Sequence, residues 1–347
     1  MTRVAIKASL AAAIAVAVVA TVTNPTAAQV RTPAQRMLPR PGTPGFANLK
    51  IETLKIQGFN KTNVYLIAGA GGNIVTQVGA DGALVVDTGY AQMADKVLAT
   101  IKELSPEPIR VVINTTYFED HTGGNETIVS AGRLNQSGPG VGGRANVATS
   151  IAHPNLLGIM TDLGPEKVPV GRWPVDTSYP SVFSDGTKGK DLFLNDEAVI
   201  IMHVPNANTD GDSMVFFRKS DVLVMGELFN EASYPVIDLE HGGTINGIIE
   251  GLNKGLNITV PRHLQEGGTM VVPGHGRIGD EHDLLEYRDM VTIIRNRVQK
   301  LMDKGQSLAQ IKAAKVTYEY DPRWNRNPAW TADMFVEAIY KNLSEKP

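Results

Sequence analysis

Asn114-Thr115-Thr116-Tyr117-Phe118-Glu119-Asp120-His121-Thr122-Gly123-Gly124-Asn125 follows an apolar run, Ile109 to Ile113, that reads as a buried strand. Gly123-Gly124 then leads into a helix expected to start near Asn125, so the acids and His121 fall on a strand-to-helix loop. Loops in that position commonly carry chemistry. Upstream, Val64 to Ala68, Asn73 to Val78 and Ala83 to Val86 are short β-rich runs separated by Gly69-Ala70-Gly71-Gly72 and Ala80-Asp81-Gly82. Asp87-Thr88-Gly89 ends the third run, and Val97, Leu98, Ile101 and Leu104 recur at helical spacing before Ile109. The predicted order is therefore a β-meander, a helix, a strand and the loop.

The rest of the chain bounds the function. Its 347 residues suffice for one large domain, and a net charge of -3 supplies no basic field for nucleic acid. Arg3 and Lys7 precede a short Ala-rich apolar run, Leu10 to Val22, with small residues at Thr26-Ala27-Ala28. This predicts a cleaved signal peptide over 1–28, a bacterial periplasmic or secreted location, and no stable membrane span after cleavage. Residues 29–50, with Pro33, Pro39, Pro41 and Pro44, read as an extended leader. With no cysteine in the chain, any metal must be held by His, Asp, Glu or Asn.

Downstream, Asn135 to Gly143 reads as a flexible Gly-rich loop lacking the phosphate-loop pattern. Ala198 to Val204, Ser213 to Phe217, Val222 to Met225 and Thr269 to Val272 are further strands. Three polar clusters close strands, at His203 to Asp212, Gly226-Glu227 and Pro273-Gly274-His275-Gly276; layered α/β folds build sites at such ends. The tail is helical: Tyr287, Met290, Val291, Ile294, Val298 and Leu301 form one face, Ser307 and Gln310 fit a capping box, and Thr331 opens a last amphipathic helix.

The motif resembles the signature N-T-H-x-H-x-D-H-x-G-G-N of the metallo-β-lactamase-fold hydrolases. It matches at Asn114, Thr115, Asp120, His121, Gly123, Gly124 and Asn125, whereas Thr116 and Phe118 replace the two leading histidines. The resemblance implies a four-layer αββα sandwich over 51–290, with C-terminal helices over 291–347 packed on it. It also implies a two-ion site, of which one ligand set has become Thr116, Phe118 and Asn208. The other survives as Asp120, His121 and His275, with Glu227 in the bridging place. Phe118 cannot ligate, and Thr116 and Asn208 are weak neutral donors.

The function implied is an exported hydrolase using one divalent metal on an ester, lactone or amide-type carbonyl of a small molecule. Two histidines and two carboxylates suit Zn²⁺ first, with Fe²⁺ and Mn²⁺ also acceptable. Asp120 and Glu227 are the candidate catalytic acids beside the water, and Thr116, Tyr117, Phe118, Asn208 and His241 the candidate pocket lining. The alternative is a pseudoenzyme whose closed site serves only to bind a ligand. Asp87, Asp210, Asp212 and Asp238 read as structural loop caps, His203 as a possible substitute ligand, and His153, His263 and His282 as surface or helix-end residues. Oligomeric state stays open.

Overall fold

Short apolar strands broken by glycine turns build the N-terminal half. In the computed structural model, which describes residues 40–43, 45–57, 62–133, 146–183, 185–265 and 267–345, β1 (Glu52–Lys55), β2 (Val64–Ala68), β3 (Ile74–Gln77) and β4 (Ala83–Val86) form an antiparallel meander. Helix α1 (Ala94–Leu104) then crosses over so that β5 (Ile109–Ile113) lies parallel to β4, and β6 (Thr149–Ile151) lies parallel to β5. Val86 pairs with Ile113, and the Asp87 N–H donates to the Ile113 carbonyl at 2.8 Å. The parallel register therefore sets Asp87 beside the start of the motif. The signal peptide, the leader up to residue 39 and the Gly-rich segment Asn135 to Gly143 lie outside the described residues.

A second six-stranded sheet has the order β12-β11-β10-β9-β8-β7, formed by β7 (Ser181–Val182), β8 (Lys188–Leu194), β9 (Glu197–His203), β10 (Ser213–Phe217), β11 (Val222–Asn230) and β12 (Met270–His275). Val75, Leu84, Val86 and Ile113 of the first sheet meet Val199, Ile201, Val215 and Val272 of the second in one buried cluster. Strands apolar on both faces need cover on both faces. On the first sheet α1 and α3 (Asn125–Ala131) supply it; on the second, α5 (Ile245–Ile258), α6 (Glu281–Asp303) and the last helix, Ala332–Ser344, do. The result is the four-layer αββα sandwich.

Three features depart from the sequence reading. Phe46 and Leu49, within the expected leader, pack against the outer core of the first sheet. The boundary at 290 falls inside α6, one continuous helix started by a capping box from Asp280 and Asp283. Helix α5 escaped notice because Gly247, Gly251 and Gly255 depress helix propensity by about 1 kcal/mol each. Those glycines let α5 sit close to the sheet: a Cβ on Gly251 would meet Val204 at 2.6 Å. Among the described residues no helix is long and apolar enough to cross a membrane.

Candidate metal centre

Helix α2 (Glu119–Thr122) is a single turn after β5, and it carries Asp120 and His121. β11 brings Glu227 and β12 brings His275 from the second sheet. One potential ligand atom from each of Asp120, His121 and His275 falls within a mutual 4.8 Å. His275 Nε2 lies 3.0 Å from Asp120 Oδ2, and Glu227 Oε2 lies 3.4 Å from the Nε2 atoms of both histidines. The two imidazoles stand perpendicular, centroids 5.5 Å apart.

Surrounding residues fix each of these groups. His121 Nδ1 lies 2.8 Å from Asp87 Oδ2, so the Nδ1 proton points to Asp87 and Nε2 faces the centre. Asp87 sits at φ 61 and also receives the Thr115 N–H at 2.8 Å and its hydroxyl at 2.6 Å. Asn230 donates to Glu227 Oε1 at 3.0 Å, leaving Oε2 for the centre. Asn73 donates to the carbonyls of Pro273 and Gly276, at 2.9 and 3.0 Å, which shapes the turn around His275. Gly72 admits no side chain, since a Cβ there would meet the His121 ring at 2.6 Å. Beneath the loop, buried Arg172 donates from Nη2 to Thr122 Oγ1 at 2.6 Å.

Electrostatics sharpen the fit. Burial opposes charge on His121, but Asp87, Glu227 and Asp120 together raise its pKa well above the ordinary histidine value. His275 is likewise raised, its burial outweighed by Glu227 and Asp120. Burial opposes ionisation of Asp120 too, yet the His275 hydrogen bond and the two imidazoles hold it far below the usual carboxylate range. His121 Nε2 and Glu227 Oε2 are buried with no hydrogen-bond partner. Around a four-coordinate ion with bonds of about 2.0–2.1 Å, neighbouring ligand atoms lie about 3.3 Å apart. The separations of 3.0, 3.4 and 3.4 Å are of that size, and Asp120, His121 and His275 form a triad of the kind that could hold one divalent ion, with Glu227 beside it.

The residues at the replaced ligand positions behave differently. Thr116 is buried, its hydroxyl against the Asp212 carboxyl but outside hydrogen-bonding geometry. Asn208 is fully buried; it commits Nδ2 to the Val236 carbonyl at 2.8 Å, while Oδ1 has no partner. Phe118 packs its ring on Tyr117, centroids 4.8 Å apart. Tyr117 donates to Asp238 Oδ2 at 2.8 Å and meets His241 edge-on at 5.4 Å. Burial and the Asp238 charge raise the Tyr117 pKa, which keeps the phenol a proton donor.

His203 does not join the Asp120, His121 and His275 cluster. Its Nε2 reaches the Asp210 carbonyl at 2.8 Å, and its ring stacks on His153 at 3.4 Å. His153, expected at the surface or a helix end, caps α4 (Pro154–Leu163) and is buried. Arg172 carries no sequence signal, and Asn73 reads only as the start of a strand. Asp87 reads only as a loop cap, although an aspartate closing the strand beside the motif is a usable signal.

The family model for the metallo-beta-lactamase superfamily matches residues 58–317. Comparison with curated protein sequences gives no match. Among solved structures, a stereoselective inverting sec-alkylsulfatase from Pseudomonas sp. aligns with a TM-score of 0.59 at 15% identity, covering 86% of this chain and 52% of that one. This chain thus spans about half the length of the alkylsulfatase. A metallo-beta-lactamase from Pontibacter korlensis aligns with a TM-score of 0.50 at 15% identity, over 70% of this chain and 99% of that one. At such identities the likeness is one of fold.

Proposed function

The chain belongs to the metallo-beta-lactamase superfamily, and from that premise we propose that it is an exported hydrolase with one divalent metal, Zn²⁺ first, held by Asp120, His121, His275 and Glu227. The observation that carries this reading is the convergence of two buried imidazole Nε2 atoms on the unpartnered Glu227 Oε2, both at 3.4 Å. With Nδ1 of His121 protonated towards Asp87, the lone pair on its Nε2 and those of the carboxylate converge outside hydrogen-bonding geometry on one buried point, which a cation satisfies and no described residue there does. An ion at that point supplies positive charge that acidifies a water and polarises the oxygen under attack.

The chain's own residues do the rest. Asp120 and Glu227 orient the attacking water, and Asp87 holds His121 in the tautomer whose lone pair faces inward. Thr116 Oγ1 and Asn208 Oδ1, both without a hydrogen-bond partner, are the neutral polar atoms offered to the substrate's carbonyl group, and Phe118, Tyr117 and His241 form the adjoining wall. The substrate class is an ester, lactone or amide-type carbonyl of a small molecule. Export rests on the charged and apolar pattern of residues 1–28.

Elemental analysis of the mature protein, purified without chelator, tests this beside Asp120→Ala, His121→Ala and His275→Ala. We expect about one ion per chain, lost in each variant, together with ester or lactone hydrolysis that disappears in all three. A metal-free wild-type protein, unchanged in stability by added Zn²⁺, Fe²⁺ or Mn²⁺ and inert to the panel, would falsify the hydrolase reading in favour of a binding protein.

A further inference from the structure

Hydrolysis needs a proton acceptor, and the acids of the metal cluster are poorly placed to be one. Glu227 has Oε1 bound by Asn230 and Oε2 held between two imidazoles. Asp120 is tied to His275 at 3.0 Å. Oxygens engaged in that way are poorly available to take up a proton from water. The next titratable cluster along the wall is built differently.

His241 ends a short turn begun by Asp238, whose carboxylate accepts the His241 backbone N–H at 3.3 Å. Asp238 Oδ2 also lies 2.7 Å from His241 Nδ1, a contact that requires the proton on Nδ1 and leaves the Nε2 lone pair free. Nε2 makes no hydrogen bond among the described residues, and the side chain is 19% exposed. Tyr117 donates to that same Oδ2 at 2.8 Å, so the carboxylate is fixed from two sides. The rings of His241, Tyr117 and Phe118 form one continuous wall, and Phe118 caps the turn of α2 that bears Asp120 and His121. Gly243 presses the other end of the His241 loop onto the Asn208 backbone, where a Cβ would meet the carbonyl oxygen at 2.1 Å.

We propose that His241 is the proton-transfer residue of the hydrolysis, with Asp238 and Tyr117 as its positioning residues. This rests on the hydrolase reading above. Water forms the new bond to the carbonyl carbon and yields its proton to His241 Nε2, while the carbonyl π pair moves to oxygen. When that pair returns, the bond to the leaving alkoxide or amine breaks, and the His241 proton passes to the departing atom. The Asp238 carboxylate, 2.7 Å from Nδ1, stabilises the imidazolium.

The test uses p-nitrophenyl acetate and γ-butyrolactone with full-length mature protein and its His241→Ala, Asp238→Asn and Tyr117→Phe variants. For His241→Ala we expect kcat to fall about 100-fold, metal content and thermal midpoint to stay at wild-type values, and added imidazole to restore part of the rate. Asp238→Asn should fall similarly with KM little changed, and Tyr117→Phe by less. Rescue by imidazole separates proton transfer from a structural role. A His241→Ala rate within twofold of wild type overturns the proposal, as does a loss that accompanies metal loss or unfolding and resists imidazole. Wild-type rates in Asp120→Ala and His275→Ala overturn instead the metal reading, leaving His241 to be judged by its rescue. A wild-type protein that hydrolyses neither probe overturns both for these substrates.

Discussion

Two pairs of buried histidines sit in this molecule, and their surroundings give them opposite chemistry. His121 and His275 stand perpendicular, 5.5 Å between centroids, among Asp87, Asp120 and Glu227. His153 and His203 lie parallel within 3°, 3.4 Å apart, and no carboxylate oxygen lies within 4.0 Å of either ring nitrogen among the described residues. Burial disfavours the charged form in both pairs. Only the acids around the first pair reverse that effect, so His121 and His275 are raised while burial depresses His153 to about 3 and lowers His203. Histidine count therefore says little about where a cation could be held; the acids facing the ring nitrogens decide it.

The strongest way to break this contrast is to remove one ring from each pair. His275→Ala should abolish stoichiometric metal binding, because a site of so few protein ligands does not survive the loss of one. His203→Ala should keep its metal, since the His203 Nε2 is spent on the Asp210 carbonyl. Elemental analysis reads both, and equal loss of metal in the two variants would remove the distinction.

A second test uses the opposite shifts. The raised pKa values mean that metal-free His121 and His275 keep their protons to higher pH than an ordinary histidine, and an ion must displace them. Metal affinity should then rise with pH by up to about a hundredfold per unit while both rings are protonated, with about two protons released per ion. Calorimetric titration in buffers of different ionisation enthalpy measures that release; none would mean the rings are already neutral. The sign for metal-free stability is the reverse. A raised histidine contributes fully below its unfolded value, about 6.5, and that contribution is lost as pH climbs through the folded pKa.

Asp87 sharpens the comparison at a smaller scale, because it is the acid that fixes the His121 tautomer. Asp87→Asn keeps the shape but can offer an N–H where His121 Nδ1 needs an acceptor. Affinity for the ion should fall about tenfold to a hundredfold with the fold intact, measured by competition with a chromophoric chelator. An unchanged affinity would make Asp87 a loop cap and nothing more.

Much of this was legible in the residues. β5 runs from Ile109 to Ile113 as its apolar run indicates, and α3 starts at Asn125 after the paired glycines. The capping box at Ser307 and Gln310 forms as its spacing requires. What the sequence hid depends on tertiary approach. Helix α5 is stabilised by close packing that its glycines permit, against their own propensity. The Asp87 contact to His121 arises from parallel register between β4 and β5, and Arg172 reaches the motif loop from 50 residues beyond Thr122. The likeness of His203 and His121 as strand-end and loop histidines broke down for the same reason: one faces carboxylates and the other a second imidazole.

The smallest effect concerns the second pair alone. His153 accepts the Asn155 N–H at 3.3 Å through Nδ1, which caps α4 and needs the neutral ring. Its folded pKa, near 3, lies below the unfolded value of about 6.5. In that window the unfolded chain binds a proton that the folded chain refuses, so stability falls as pH drops from about 6.5 towards 3. Solvent screening limits the loss to roughly 2 kcal/mol. His153→Asn keeps a capping oxygen, among the best at that position, and has nothing to titrate. Its stability should therefore fall less steeply than wild type between pH 6.5 and 4 in urea unfolding, while metal content stays the same. An identical slope in the two proteins would place the acid sensitivity elsewhere, and a change in metal content would tie the second pair to the first after all.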